Sequence, residues 1–268
     1  MTPRPEVPGA QGHGAQVPGA QGHGAQGHGA QAPGAQGHGA AIFDMDGLLV
    51  DSEPIWHEVE IDVFGRHGVP LTVERCLETK GMFLGEAVSH WYARYPWTGA
   101  SAADVSAEIV DAMAARLEEK VELKPGALRS LDFCRDRGAR LALASSSPRR
   151  LIGAVVHRFG LGARFTVVHS AEDEPAGKPD PAIFLTTARQ LGVAAAECVV
   201  FEDSVAGVLA AKAAGMACVA VPEPDPVSRP AGNERGLPEA FALADVVLGS
   251  LLELDDDVWA RVAPPPAR

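Results

Sequence analysis

The stretch "AIFDMDGLLVDSEP", residues 41–54, opens on a short apolar run and then places Asp44, Asp46, Asp51 and Glu53 in quick succession. Like charges repel, and a surface loop would carry them at no cost. The run entering through Ala40, Ala41, Ile42 and Phe43 reads instead as the end of a buried strand. Acids crowded at a strand end therefore call for something that neutralises them.

The chain has 268 residues, 46% apolar and 22% charged, the make-up of an ordinary globular protein. Its net charge of -12 speaks against a nucleic-acid partner, because a phosphate backbone needs a basic surface. No window approaches about 18 uninterrupted apolar residues, so no membrane span is expected. The N-terminus shows no apolar core of a secretory signal, and Cys76, Cys134, Cys198 and Cys218 are scattered without metal-ligand spacing. These features point to a cytoplasmic location with reduced thiols.

Residues 1–39 are a different material. From Gly9 a pentamer runs GAQGH, GAQVP, GAQGH, GAQGH, GAQAP, GAQGH. With no large apolar side chains to bury, such a tract does not offset its chain entropy, so a disordered extension is expected. His13, His23, His28 and His38 within it also read as a weak metal-binding tract.

Beyond it, short apolar runs recur at 41–43, 141–144, 165–168, 198–201, 217–221 and 245–248, with helical stretches between most of them. That alternation specifies an α/β fold with a Rossmann-like parallel sheet covered on both faces. The interval from 53 to 123 holds helix-like segments such as "SAADVSAEIVDAMAARLEEK" and no convincing strand. It reads as a small all-helical cap inserted after the first strand, with 40–52 and 124–268 forming the core. A cap there sits over the carboxyl ends of the strands, where open α/β sheets bind ligands.

Three further stretches fall at or just after strand ends. "LALASSS" puts Ser145, Ser146 and Ser147 before a helix, "GKPDPAIF" puts Lys178 on a stiff loop, and "VVFEDSVAG" puts Glu202 and Asp203 directly after a strand. Singly, these read as an N-cap serine, a solvated lysine and helix-capping acids. Jointly, all of them reach the same end of one sheet as Asp44 and Asp46. They supply acids for chemistry, oxygen ligands for a hard cation such as Mg²⁺, and a hydroxyl and an ammonium for phosphate.

With "DMDG" at 44–47, Ser145 closing "LALAS", Lys178 in "GKPDP" and "EDS" at 202–204, the chain resembles the haloacid dehalogenase superfamily over about 230 residues. "FDMDGLLVDSEP" with "WYARYPW" at 91–97 narrows the resemblance to bacterial phosphatases of hexitol and 2-deoxyglucose phosphates. The resemblance implies a phosphomonoester hydrolase of sugar or sugar-alcohol phosphates, of hexose or hexitol 6-phosphate type. Asp44 would be the nucleophile forming an aspartyl-phosphate, and Asp46 the acid and base. Mg²⁺ would be held by the Asp44 carboxylate, the Asp46 backbone carbonyl and Asp203, with Glu202 nearby. Ser145, the Ser146 backbone and Lys178 would grip the phosphoryl oxygens. The partner is a small phosphorylated molecule, and a monomer is expected.

Other readings carry less. An EF-hand loop needs glycine at its sixth position, and here Gly47 is fourth. A metal-free dehalogenase would not require Asp46 or Asp203. A non-catalytic sugar-phosphate binder would gain by losing a carboxylate facing phosphate. A β-phosphoglucomutase shares the cap and all four motifs. However, its reserve histidine falls on Trp56 with His57 alongside, and its cap arginine on Leu84, leaving Arg94 or Lys80 as substitutes. Trp56, His57, His90, Trp91 and Trp97 could contact substrate, although aromatics in a small cap more often form its core.

The repeat tract yields the first prediction. Deleting residues 1–37 should leave melting temperature and turnover unchanged, and a drop of several degrees would show that the pentamers pack.

Overall fold

The six apolar runs form six strands: β1 (Ala40–Phe43), β2 (Arg140–Ser145), β3 (Val167–Ser170), β4 (Cys198–Glu202), β5 (Ala217–Ala220) and β6 (Val246–Val247). The computed structural model describes residues 39–223 and 238–262. The repeat tract and the expectation of disorder made for it lie outside those residues. All strand pairings are parallel, in the order β3-β2-β1-β4-β5-β6. The fold is the α/β, Rossmann-like arrangement that the alternation of strands and helices specified.

Side-chain alternation explains the continuous apolar runs. Ala41 and Phe43 belong to the apolar cluster on one face, Ala40 and Ile42 to the cluster on the other. Both faces are covered, so every position of β1 must be apolar until the strand ends. The chain turns outward in opposite directions from β1, toward β2 on one side and β4 on the other. Ligands bind at the carboxyl ends of strands beside such a switch point.

One strand differs from expectation. The third run was placed at 165–168, but β3 begins at Val167 and continues to Ser170. Phe165 fills the core from the connection before the strand. The polar end stays in the sheet because His169 contacts the Glu174 carboxylate at 2.7 Å and the Ser170 hydroxyl donates to the Ser147 carbonyl at 2.7 Å. Apolar pattern alone misses a strand whose polar residues are satisfied internally.

Between β1 and β2 the chain forms α1 (Glu53–Arg66), α2 (Val73–Cys76), α3 (Leu84–Arg94) and α4 (Ala102–Lys120), then α5 (Ala127–Asp136) of the core. The insertion is helical throughout, as expected. Helix α4 starts on a capping box in which the Ser101 side chain accepts from the Asp104 N–H and the Asp104 carboxylate accepts from Ser101. Its buried stripe Val105, Ile109, Met113 and Leu117 follows helical spacing and packs with Trp91 inside the cap. The two chains entering and leaving the insertion bind each other: Asp51 N–H donates to Glu122 O and Lys124 N–H to Leu49 O, each at 2.9 Å. That short stem ties the cap to the end of β1.

The helices following the remaining strands are α6 (Arg149–Arg158), α7 (Ala182–Leu191), α8 (Val205–Ala213) and α9 (Asp256–Val262). No helix among the described residues is long and apolar enough to cross a membrane.

At the centre of the sheet Phe43 lies opposite Phe201 in register, with their rings stacked at 4.5 Å. Both are fully buried, and each directly precedes a site carboxylate, Asp44 or Glu202. Phe201→Ala should therefore cost about 3–5 kcal/mol in urea unfolding and lower activity with stability. A loss under about 1 kcal/mol would mean that the stack is not what aligns the two strand ends.

Candidate active site

Strand ends in register place the first carboxylates. Asp44 N–H still donates to Phe201 O at 3.0 Å, so Asp44 emerges beside Glu202 with its backbone fixed by the sheet. Lys178, on the loop before α7, reaches between them. Its ammonium lies 2.5 Å from Asp44 Oδ1, 2.5 Å from Glu202 Oε1 and 3.3 Å from the Ala144 carbonyl. All three side chains are buried. Burial works against the charged ammonium, yet the two carboxylates overcome it and raise the Lys178 pKa. Burial pushes Asp44 up to about 7 despite Lys178, with Glu202 and Asp46 adding to the rise.

Glu202 has little freedom left. Its Oε2 accepts from the N–H groups of Asp203 and Ser204, each at 3.1 Å, and from the Ser204 hydroxyl at 3.0 Å. The carboxylate lies against bare helix backbone: a Cβ added at Gly207 would stand 1.9 Å from its Cδ. Glycine in the first turn of α8 is thus what admits the lysine's second counter-charge.

Asp46 has a different environment. Its Oδ1 accepts from Ser52 Oγ at 2.6 Å and Trp56 Nε1 at 3.3 Å, and its Oδ2 from Ser147 Oγ at 2.7 Å and Ser145 Oγ at 3.3 Å. Neutral donors from the cap helix and from the loop after β2 converge on one carboxylate. Gly47 follows with φ +74°, a left-handed turn, and a Cβ there would collide with Asp203 Oδ2 at 2.3 Å. Glycine is required twice over, for the turn and for the close approach.

Asp203 completes the acidic group. One carboxylate oxygen each from Asp44, Glu202 and Asp203 lie within 4.8 Å of one another. Asp203 Oδ2 is buried and has no hydrogen-bond partner, with the Lys80 ammonium 3.5 Å away as a charge. Burial raises the Asp203 pKa well above the usual range; Lys80 opposes this, while Glu202, Asp44 and Glu53 add to it. An orphaned carboxylate oxygen among hard oxygen donors is what a Mg²⁺-sized cation takes. The residues present therefore fit that group, with Glu202 engaged by Lys178 and backbone N–H groups.

Ser145 accepts from the Ser147 N–H at 3.0 Å, and Ser146 Oγ is buried without a partner. Both line a cleft that also takes in Asp44 and Asp46 of the core and Glu53, Trp56 and Lys80 of the cap. The sequence-selected residues Asp44, Asp46, Ser145, Ser146, Lys178 and Asp203 all line it. Of the cap aromatics, Trp91 and Trp97 are buried core, and His90 faces Glu78 on the outside at 3.8 Å. Trp56 and His57 line the cleft. Ser52 and Glu60 were not singled out from sequence, and Glu53 and Ser147 were noted there without a role of their own. The spacing of 53, 56, 57 and 60 on one face of α1 was the available signal.

The sequence of residues 38–215 matches the haloacid dehalogenase-like hydrolase family. The chain belongs to that family. Among its relatives is hexitol phosphatase B of Escherichia coli K12, 40% identical over 80% of this chain and 93% of that protein. A phosphorylated carbohydrates phosphatase of Thermotoga maritima is 32% identical over 66% of this chain and 81% of its own length. Among solved structures, CbbY from Rhodobacter sphaeroides in complex with phosphate superposes with TM-score 0.70 at 27% identity, covering 81% of this chain and 96% of that one. With its family and these relatives, the haloacid dehalogenase-like hydrolase described here is an enzyme of the phosphatase kind.

The Gly207 contact gives a prediction whose sign is diagnostic. In a free helix Gly→Ala stabilises by roughly 0.5–1 kcal/mol. Here Gly207→Ala should lower the melting temperature and activity together by displacing Glu202 from Lys178. A stabilised, fully active variant would show that the Glu202 position is not needed.

Proposed function

We propose that this phosphatase releases inorganic phosphate from small sugar or sugar-alcohol monophosphates, of hexose or hexitol 6-phosphate type, through an aspartyl-phosphate on Asp44. The observation that carries the reading is the contrast between two carboxylates two residues apart. Asp44 shares an ammonium with Glu202 beside the orphaned Asp203 oxygen, whereas Asp46 accepts only neutral donors. Paired acids in divergent environments take divergent roles.

An Asp44 carboxylate oxygen attacks phosphorus in line with the leaving oxygen, and the ester P–O bond breaks. Asp46 gives its proton to that departing oxygen, so a neutral alcohol leaves. Asp46, now a carboxylate, takes a proton from an incoming water whose oxygen attacks phosphorus and frees Asp44. Lys178 and the Ser145–Ser146 segment hold the phosphoryl oxygens as charge develops. Mg²⁺, when bound, would be held by the Asp44 and Asp203 carboxylates and the Asp46 backbone carbonyl, and would offset the charge of nucleophile and phosphate. Glu202 serves as the counter-charge that fixes Lys178, consistent with both of its oxygens being occupied.

Hydrolysis is favoured over mutase chemistry by what faces the cleft. Leu84 lines it and is no anion ligand, Arg94 pairs with Glu78 at 2.8 Å, and Lys80, which does line it, is already engaged by Asp203, Glu53 and Glu223. The names of the Escherichia and Thermotoga relatives support the substrate class.

A Mg²⁺-dependent phosphate-release screen over sugar and polyol phosphates tests the reading. Asp44→Asn should reduce release by about 10³-fold or more with the fold intact by circular dichroism. Asp46→Asn should lose about 10²–10⁴ with alkyl esters and much less with an activated aryl phosphate, whose leaving group needs no proton. Wild-type-like release by Asp44→Asn, or equal losses with both leaving groups, would refute the assignment.

A further inference from the structure

The cleft is also lined by a buried acid that the proposed chemistry does not use. Glu60 lies on α1, four residues or about 6 Å beyond Trp56, whose indole already binds Asp46. It is 8% exposed, and it lines the cleft together with Cys76, Thr79 and Leu84. Its hydrogen-bond partner is the Cys76 thiol, a weak donor. A carboxylate has roughly four acceptor sites, more than one thiol fills. Burial pushes Glu60 up to about 7, with the thiol opposing and Glu53 adding to the rise, so its negative charge is fully developed only above neutral pH.

The neighbouring charges restrict what can lie beside Glu60. Among the described residues the cations lining the cleft are Lys178, Lys80 and His57. Lys178 is held at the floor by Asp44 and Glu202. Lys80 lies 3.5 Å from Asp203, 3.6 Å from Glu53 and 3.8 Å from Glu223. His57 lies 3.7 Å from Glu53, and burial first and Lys80 second lower its pKa. Among the described residues no cation lining the cleft is left without a carboxylate partner to receive a second anionic group, whereas an array of hydroxyls would satisfy the Glu60 carboxylate.

We infer that Glu60 determines specificity: its carboxylate receives the hydroxyls at the end of the substrate remote from phosphate, and it turns away substrates carrying a second anion there. The inference rests on the phosphatase reading above and narrows its substrates to neutral, polyhydroxylated monophosphates. A sugar-acid phosphate or a bisphosphate would place its second charge against an acid that has no unpaired cation beside it among the described residues.

The test compares wild type, Glu60→Gln and Glu60→Asp at about pH 8.5, where Glu60 is ionised, on three esters: a hexitol 6-phosphate, a six-carbon sugar-acid 6-phosphate and p-nitrophenyl phosphate. For Glu60→Gln, kcat/KM for the hexitol ester relative to the aryl ester should fall about tenfold or more, mainly through KM. Its preference for the hexitol ester over the sugar-acid ester should fall by about as much. Glu60→Asp keeps the charge and should still reject the sugar acid while binding the hexitol more weakly. Calorimetry in the Asp44→Asn background supplies a readout independent of turnover. There Glu60→Gln should weaken hexitol 6-phosphate binding about tenfold more than inorganic phosphate binding. Substrate ratios within about twofold of wild type, or equal weakening of both ligands, would overturn the assignment. Absence of phosphate release from every ester by wild type would refute the phosphatase reading, and the calorimetric comparison would still decide the role of Glu60.

Discussion

A single ammonium, Lys178 Nζ, 2.5 Å from both Asp44 and Glu202, organises the described site. Burying charges is costly, and a buried pair survives only where geometry and additional hydrogen bonds compensate. Here the sheet supplies the geometry. β1 and β4 are neighbours in register, so the residues following Phe43 and Phe201 must emerge side by side. Backbone N–H groups at the start of α8 satisfy the rest of Glu202, and the Ala144 carbonyl takes part of the lysine. Three separated sequence segments meet because the strand order brings them together, and none of them alone explains its own charge.

That single cation does not balance the site. Asp44, Asp46, Glu202 and Asp203 supply four carboxyl groups against Lys178. The remaining charge is shared in two directions. Neutral hydroxyls and the Trp56 indole spread the burden of Asp46, while Lys80 faces Asp203 from the cap. The orphaned Asp203 oxygen is the residue of that imbalance. It is also the feature by which the cluster departs from an ordinary buried ion-pair network, in which every oxygen would be satisfied, and by which it could hold a cation.

Much of this was legible in the sequence because strand ends are legible. An apolar run that stops at an acid, a serine or an acidic pair marks one end of the sheet, and parallel topology places all such ends together. β3 was displaced because its polar end, His169 and Ser170, is satisfied internally by Glu174 and the Ser147 carbonyl. The cap face of the cleft was less legible for a geometric reason. Helical spacing shows that Glu53, Trp56, His57 and Glu60 share a face, but it does not show which face meets the core. From sequence Trp56, Trp91 and Trp97 read alike, as substrate contacts or as cap core; the Trp56 indole N–H points at Asp46, whereas Trp91 and Trp97 pack. Composition does not separate an indole used for volume from one used for its single donor.

The division between core and cap follows from the same constraint. A charge network that depends on strand register tolerates little variation, so the core end of the cleft holds groups suited to any phosphomonoester. Helix α1 is bound less stringently: it is anchored by the stem at Asp51–Glu122 and by the Ser52 and Trp56 bonds to Asp46. One turn farther along, side chains can change without disturbing the lysine or its two carboxylates. On the proposed reading, selection of the leaving group falls to that turn. Because Ser52 and Trp56 touch the acid that would protonate the leaving oxygen, the element that would read the substrate would also position the proton it needs.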